Sequence, residues 1–187
     1  MREDAFFAAS LNPSFPDPCK LKSTAMNAAI LTISDKGHRG ERTDKSGPAV
    51  AAFLARHSVD VVSTTIVPDE VDAISAQLIA WADGGGCDLI LTTGGTGVAP
   101  RDVTPEATRA VLDRAIPGIA EAMRAASLNK TPFAMLSRAL AGVRGRALIV
   151  NLPGSPAGAV ENLEAVWPAV AHGIKKIQGD TSDCVKP

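Results

Sequence analysis

Short apolar runs alternate with segments of helical spacing along most of this chain, and this alternation constrains the fold more than any other feature. Three runs rich in aliphatic and β-branched residues predict strands, at 28–34 (AAILTIS), 59–67 (VDVVSTTIV) and 88–93 (DLILTT). Helical spacing recurs at 48–57, from 69 to about 82, at 105–114, at 117–127 and from 156 to about 177. The pattern predicts βαβ units, and therefore a three-layer, doubly wound α/β fold whose mostly parallel sheet carries helices on both faces.

Some local features refine this prediction. Residues 140–144 and 146–151 flank Gly145 and predict a pair of strands, with a helix over 132–140 as a further expectation. Ser46 is expected to cap the helix over 48–57, because serine accepts backbone hydrogen bonds at helix starts. Pro168 lies inside the last helical segment and predicts a kink or a break there, since proline lacks the N–H that a helix needs.

The length of 187 residues fits one domain, which we place at 28–187. Residues 1–27 have short apolar pieces separated by prolines and polar residues, without the basic and apolar regions of a signal peptide. We therefore expect residues 1–27 to form a flexible N-terminal extension. A translation start at Met26 is the alternative.

Composition argues against several classes of protein. A formal net charge of -1 and an aromatic content of 4% provide neither a basic surface nor stacking platforms for nucleic acid. No apolar run is long enough to predict a membrane span. The three cysteines (Cys19, Cys87 and Cys184) form no CxxC pair, which favours a reducing, cytoplasmic location over a disulfide framework or a zinc site.

Polar, glycine-bearing loops follow three of the predicted strands. The first of these loops begins at Ser34-Asp35, and the other two are 93–97 (TGGTG) and 151–155 (NLPGS). Ligands of open α/β sheets bind beyond the carboxyl ends of the strands, so we expect these loops to gather at one edge of the sheet.

The loop 92–97 (TTGGTG) combines glycines, whose amides approach a phosphate closely, with hydroxyl groups that add hydrogen bonds. A tight turn without a ligand explains the same residues about as well. Two common phosphate motifs are absent: the dinucleotide fingerprint fails at Pro100, and a Walker A loop ending at Lys45 fails at Arg39 and Asp44.

Carboxylates near these loops leave two interpretations open. Asp102 could hold Mg²⁺ against nucleotide phosphates, or it could cap the helix entered at Pro105 or pair with Arg101. Asp69 could serve a site or cap a helix, and Asp35 and Asp44 could be functional or form local Asx turns. No histidine pair for a metal and no serine nucleophile motif is present, an inventory that fits nucleotidyl transfer to an already ionised phosphate.

Five motifs occur together and in a familiar order. They are SDKG (34–37), DKSGP (44–48), VPDE (67–70), TTGGTG with PRDVTPEAT (92–108), and NLPGSP (151–156). On these motifs the chain, over residues 28–184, resembles the molybdopterin adenylyltransferase family of the MogA/MoaB type, which also includes the G domain of gephyrin. The resemblance implies a cytoplasmic homotrimer that transfers AMP from Mg-ATP to the phosphate of molybdopterin and releases pyrophosphate, with hand-over to a molybdate-insertion protein.

By motif position, the resemblance implies that Asp69 and Asp102 are catalytic and that Asp102 holds Mg²⁺. It implies a pocket for ATP and molybdopterin formed by Ser34, Asp35, Asp44, Ser46, Gly47, Thr93, Gly94, Gly95, Thr96, Gly97, Asn151, Pro153, Gly154 and Ser155. The alternative is a non-catalytic, MoaB-like molybdopterin-binding protein. A molybdate-insertion subunit, which is much longer, and a domain like that of competence-damage proteins are weaker alternatives.

Overall fold

A computed structural model of the protein describes residues 26–182. Its elements are β1 (Met26–Ile33), α1 (Asp35–His38), α2 (Ser46–Arg56), β2 (Val59–Val67), α3 (Val71–Asp83), β3 (Leu89–Thr93), α4 (Thr104–Val111), β4 (Arg114–Ala115), α5 (Pro117–Leu128), a 3₁₀ turn (Pro132–Leu136), β5 (Ala141–Arg144), β6 (Ala147–Leu152) and α6 (Pro156–Ile177). The expectation of a flexible extension falls on residues outside the described range, except that Met26 and Asn27 belong to β1.

The sheet has six strands in the order β2-β1-β3-β6-β5-β4. The four strands β2, β1, β3 and β6 are parallel, and the hairpin β5–β6 around Gly145 and the short edge strand β4 add antiparallel pairs. The predicted strand pair is therefore confirmed. The edge strand β4 was not predicted, because two residues are too few to show a period.

Helices cover both faces of the sheet, which confirms the three-layer prediction. Successive residues of β1 alternate between the two cores: Ala28 and Ile30 pack with α2, α5 and α6, whereas Ala29 and Leu31 pack with α3 and α4. Both faces of the central strands are buried, which explains why their sequences are continuously apolar.

Two local predictions need correction. The helix α2 begins at Ser46, two residues before the predicted start, so Ser46 is its first residue and not its cap. The helix α6 continues through Pro168 without a break. Its apolar face, including Leu163, Val166 and Val170, is buried in the core, and this packing offsets the missing hydrogen bond.

No helix in the described part of the chain is long and apolar enough to cross a membrane.

Candidate active site

The order of the sheet places a crevice at the carboxyl ends of β1 and β3. These strands are neighbours, but the chain leaves β1 towards β2 on one side and leaves β3 towards β6 on the other. Such a reversal sends the two connections to opposite faces of the sheet and opens a binding crevice between them in doubly wound sheets. The candidate site lies at this switch point.

The predicted loops meet there. A Cβ built on Gly94 would lie 2.3 Å from the carbonyl oxygen of Ile33, and one built on Gly154 would lie 3.2 Å from the Cα of Gly94. The Thr93 hydroxyl donates to the carbonyl of Pro153 at 2.7 Å. The loops after β1, β3 and β6 are thus in contact, as the sequence predicted.

The turn 93–97, which we call the glycine turn, requires glycine at its centre. Gly94 and Gly95 have φ angles of 103° and 62°, a region that L side chains rarely adopt. A Cβ on Gly95 would lie 2.4 Å from Oγ1 of Thr104, and one on Gly97 would lie 2.8 Å from Oδ2 of Asp102. The turn therefore brings bare backbone and the Asp102 carboxylate together.

Asp35 and Asp69 are joined by two reciprocal hydrogen bonds. The N–H of Asp35 donates to Oδ2 of Asp69 at 2.8 Å, and the N–H of Asp69 donates to Oδ1 of Asp35 at 3.1 Å. Glu70, not Asp69, occupies the cap position of α3. The interpretation of Asp69 as a helix cap is therefore wrong, and its carboxylate instead connects the loops after β1 and β2.

The same pairing separates the acidities of the two carboxyl groups. Hydrogen bonds from Arg101 and from the Asp69 N–H lower the pKa of Asp35. Burial raises the pKa of Asp69, and the charges of Asp35 and Asp102 raise it further against the lowering effects of the Asp35 N–H and Arg101. Adjacent carboxyl groups with divergent pKa values are a common property of active sites.

Arg101 belongs to this cluster and was not recognised as a site residue from the sequence. Its guanidinium donates to both carboxylate oxygens of Asp35, at 2.9 and 3.1 Å, and makes an ion pair with Glu70 at 2.8 Å. The predicted alternative of a pair between Arg101 and Asp102 is wrong. No sequence signal pointed to this partner, because 66 residues separate Arg101 from Asp35.

The carboxylate of Asp102 accepts a hydrogen bond from the N–H of Ala99 at 2.8 Å. The cap position of α4 is Val103 and has no side-chain cap, so Asp102 does not cap this helix. Asp102 lines a shallow hollow of about 380 Å³ with Glu106 and Arg138 beside the glycine turn.

Arg138 stabilises the loop that carries Asp102, and it too was not predicted from the sequence. Its backbone N–H donates to the carbonyl of Thr96 at 2.9 Å, and its side-chain Nε donates to the carbonyl of Gly97 at 2.6 Å. Its remaining donors contact the carbonyl of Asp102 and the carboxylate of Glu106. This one residue therefore connects the glycine turn with the segment 100–106.

Asp44 stabilises the first turn of α2. Its carboxylate accepts from the N–H groups of Ser46 and Gly47, at 2.9 and 3.1 Å, and from the hydroxyl of Thr32 at 2.7 Å. Burial raises the pKa of Asp44, but the hydrogen bonds from Thr32, Gly47 and Ser46 outweigh it and leave the pKa below its usual value. Asp44 thus performs the capping that was predicted for Ser46.

Two cavities flank the glycine turn. The first, of about 590 Å³, contains eight of the predicted site residues and the cationic side chains of Arg42 and Lys45. Those eight are Ser34, Asp44, Ser46, Asp69, Thr93, Gly94, Gly95 and Gly154.

The second cavity, of about 440 Å³, contains four further predicted residues: Thr96, Gly97, Pro153 and Ser155. Its other walls combine the apolar side chains of Phe133 and Leu136 with the polar groups of Arg124, Lys130 and Asn162, none of which was predicted. Phe133 is 75% exposed, although large aromatic side chains are usually buried. Residues 93–95 therefore face the first cavity, and residues 96 and 97 face the second.

Three predicted binding residues line neither cavity. Asn151 is fully buried, and its amide donates to the hydroxyls of Thr92 and Thr108, both at 2.9 Å, while its oxygen accepts from the Leu140 N–H. Gly47 is buried in the first turn of α2, and Asp35 is paired with Arg101. The hydrogen-bonding groups of these three residues are engaged within the protein, so the residues stabilise the loops around the site.

Within residues 26–182, no group of three or more His, Cys, Asp or Glu side chains is arranged to hold a metal ion. Mg²⁺ usually needs only one or two carboxylates when phosphates and water supply its other oxygen ligands. Asp69 and Asp102 could meet this requirement, since both carboxylates border the glycine turn: a Cβ built on Gly95 would lie 3.2 Å from Oδ1 of Asp69, and one on Gly97 would lie 2.8 Å from Oδ2 of Asp102.

Comparisons with known proteins agree with this geometry. Residues 29–172 match the family model described as a probable molybdopterin binding domain. The molybdopterin adenylyltransferase of Helicobacter pylori strain J99 is 43% identical over 157 residues, covering 83% of this chain and 89% of the relative. The enzyme of the same name from Escherichia coli K12 is 44% identical over 155 residues, covering 80% of each chain.

Solved structures include the molybdopterin biosynthesis enzyme MoaB from Thermus thermophilus. It is 55% identical with a TM-score of 0.79, and the match covers 83% of this chain and 98% of that one. The family match spans more than half of the chain, and the relatives are matched over most of their length. The chain therefore belongs to the molybdopterin-binding-domain family, of the MogA/MoaB type.

Proposed function

We propose that this protein is a molybdopterin adenylyltransferase of molybdenum cofactor biosynthesis. It would transfer AMP from ATP to the phosphate of molybdopterin and release pyrophosphate. The observation that carries the proposal is that the glycine turn forms a wall of both cavities, so that two bound substrates would meet across residues 93–97. The names of the relatives support the same activity.

The first cavity has the chemistry of a nucleotide polyphosphate site. Arg42 and Lys45 supply positive charge, and Gly94 and Gly95 present backbone without side chains to the same cavity. Glycine amides favour anions because a phosphate can approach their N–H groups closely. We therefore assign ATP to the first cavity.

The second cavity suits a flat heteroaromatic ring with a polar edge. Phe133 and Leu136 offer apolar contacts, and the Lys130 ammonium, which pairs with Glu161 at 2.8 Å, has further donors for a polar edge. The start of α6, where Ser155 caps the helix by accepting from the N–H of Gly158 at 3.2 Å, lies in its wall beside the glycine turn. We therefore assign the pterin to this cavity, with its phosphate directed towards Gly97 and Ser155.

The chemistry then needs positioning and neutralisation of charge. An ionised oxygen of the pterin phosphate attacks the α-phosphorus of ATP, the bond to the bridging oxygen breaks, and pyrophosphate leaves with the bonding electrons. No general base is required. Mg²⁺, when bound with the nucleotide, would neutralise charge on the phosphates, and Asp102 would hold it while Asp69 orients the nucleotide side of the site.

Several further properties belong to the same proposal. We infer a cytoplasmic enzyme that acts as a homotrimer and passes the adenylylated pterin to a molybdate-insertion protein. Size-exclusion chromatography with light scattering tests the trimer. Co-purification of a molybdate-insertion protein loaded with product tests the hand-over.

The activity is tested by incubating the protein with molybdopterin and Mg-ATP and measuring both pyrophosphate and the adenylylated pterin. The two products should appear in equal amounts and only with both substrates present. Tight pterin binding without an ATP-dependent product would favour the non-catalytic, MoaB-like alternative and contradict the proposal.

A further inference from the structure

Arg101 is connected to Asp69 through Asp35. The guanidinium of Arg101 binds both carboxylate oxygens of Asp35, and the backbone and carboxylate of Asp35 then make the two reciprocal hydrogen bonds with Asp69. The remaining terminal nitrogen of Arg101 pairs with Glu70, the residue that follows Asp69. The Arg101 side chain thus binds both Asp35, the hydrogen-bond partner of Asp69, and Glu70, the residue next to Asp69 in the chain.

A contribution to stability does not account for the contacts of Arg101 with Asp35 and Glu70. The Arg101 side chain is 54% exposed, and exposed pairs contribute little to stability. Asp69, however, lines the first cavity, and its carboxylate is held by the N–H of Asp35, so its orientation depends on Asp35. A planar guanidinium that binds Asp35 at two points fixes the direction of that carboxylate, which a single-point contact does not.

We propose that Arg101 is a positioning residue, which orients Asp69 towards the first cavity by fixing Asp35 and Glu70 around it. This inference rests on the proposed function and deepens it, because it assigns a role in the same site to a residue that lines neither cavity. Loss of Arg101 should leave the fold intact and loosen the Asp35–Asp69 pair.

The structural part can be tested without an assay of activity. Hydrogen exchange at the Asp35 and Asp69 amides, followed by NMR, should show protection that falls about tenfold or more in Arg101→Gln. The Gly47 amide, which donates to Asp44, should exchange at the same rate in both proteins. Unchanged protection at Asp35 and Asp69 in the folded variant would overturn the proposal.

The catalytic part uses the adenylylation assay. Arg101→Gln should lower kcat about tenfold while the KM for molybdopterin stays within about twofold, because small losses of alignment reduce the reactive population. Arg101→Lys should restore only part of kcat, since an ammonium keeps the charge without the two-point contact. The matched control is Arg39→Gln, which breaks an exposed two-point pair with Glu41 in the loop after β1 and should keep the wild-type kcat.

The outcomes separate the two proposals. A wild-type protein that forms no product contradicts the proposed function. In that case the hydrogen-exchange measurement by itself still tests whether Arg101 fixes the Asp35–Asp69 pair. An active wild type with equal kcat in Arg101→Gln and Arg39→Gln contradicts the positioning role. Full rescue by Arg101→Lys would also contradict it, because charge without geometry would then suffice.

Discussion

The N–H groups of Asp35 and Asp69 each donate to the other's carboxylate, at 2.8 and 3.1 Å, across 34 residues of chain. The two residues follow neighbouring parallel strands, so the pair fixes one edge of the candidate site. Burial and the negative charges of Asp35 and Asp102 raise the pKa of Asp69. Hydrogen bonds from Arg101 lower the pKa of Asp35, so the two carboxyl groups of the pair differ in acidity.

Asp102→Asn should separate catalysis from binding. The change keeps the shape of the side chain and removes its charge, so we expect molybdopterin affinity to stay within about twofold while kcat falls roughly 10²–10³-fold. Steady-state kinetics and pterin titration measure the two quantities. Asp72→Asn, an exposed carboxylate in the first turn of α3, is the control and should be fully active.

Asp69→Asn should lower activity without lowering stability. The raised pKa of Asp69 means that its stabilising contribution is complete below the unfolded value, about pH 4, and is lost as pH rises through the folded value. At pH 7 the neutral variant should therefore be at least as stable as wild type. Urea unfolding at pH 7 measures this, and a clear loss of stability would contradict it.

Asp44→Ala should have the opposite effect. Loss of the helix cap and of the partner of Thr32 should cost about 2 kcal/mol at pH 7. The lowered pKa of Asp44 means that its contribution is present above the unfolded value, about pH 4, and is lost as pH falls through the folded value. Unfolding curves of wild type and variant should therefore converge in acid, whereas Asp60→Ala, at an exposed strand position, should match wild type throughout.

Asn151→Ala should act on folding and not on substrate contacts. The change leaves the buried hydroxyls of Thr92 and Thr108 and the N–H of Leu140 without their partner, at a cost of about 3 kcal/mol. At a temperature where the variant is folded, its KM for both substrates should stay within about twofold of wild type. Asn129→Ala, at the exposed end of α5, should change stability by less than about 0.5 kcal/mol.

Phe133→Ala should weaken pterin binding alone. Loss of a stacked aromatic ring typically costs about 1–3 kcal/mol, so the Kd for molybdopterin should rise roughly tenfold while the affinity for ATP is unchanged. Met135→Ala is a close control, because Met135 is 69% exposed in the same 3₁₀ turn but does not line the second cavity. Equal effects of the two changes, or a loss of ATP affinity, would contradict the assignment of the cavities.

Sequence reasoning reached the layered fold because its signals are local. Two-residue alternation separates the two cores along β1, and glycines mark the turn that needs positive φ at Gly94 and Gly95. The gathering of the loops at one edge followed from the parallel order of the strands. Pro168 misled because the buried face of α6 outweighs the preference of one residue.

The residues themselves determined which strands and helices form and which loops lie at the carboxyl edge, because burial period and turn geometry are encoded within a few neighbouring positions. Only the tertiary structure decided that Arg101 binds Asp35, that Asn151 is enclosed, and that the glycine turn faces two cavities. The partner of a charged or amide side chain depends on segments that are distant in sequence. Their approach is fixed by packing of the whole core, which no local pattern contains.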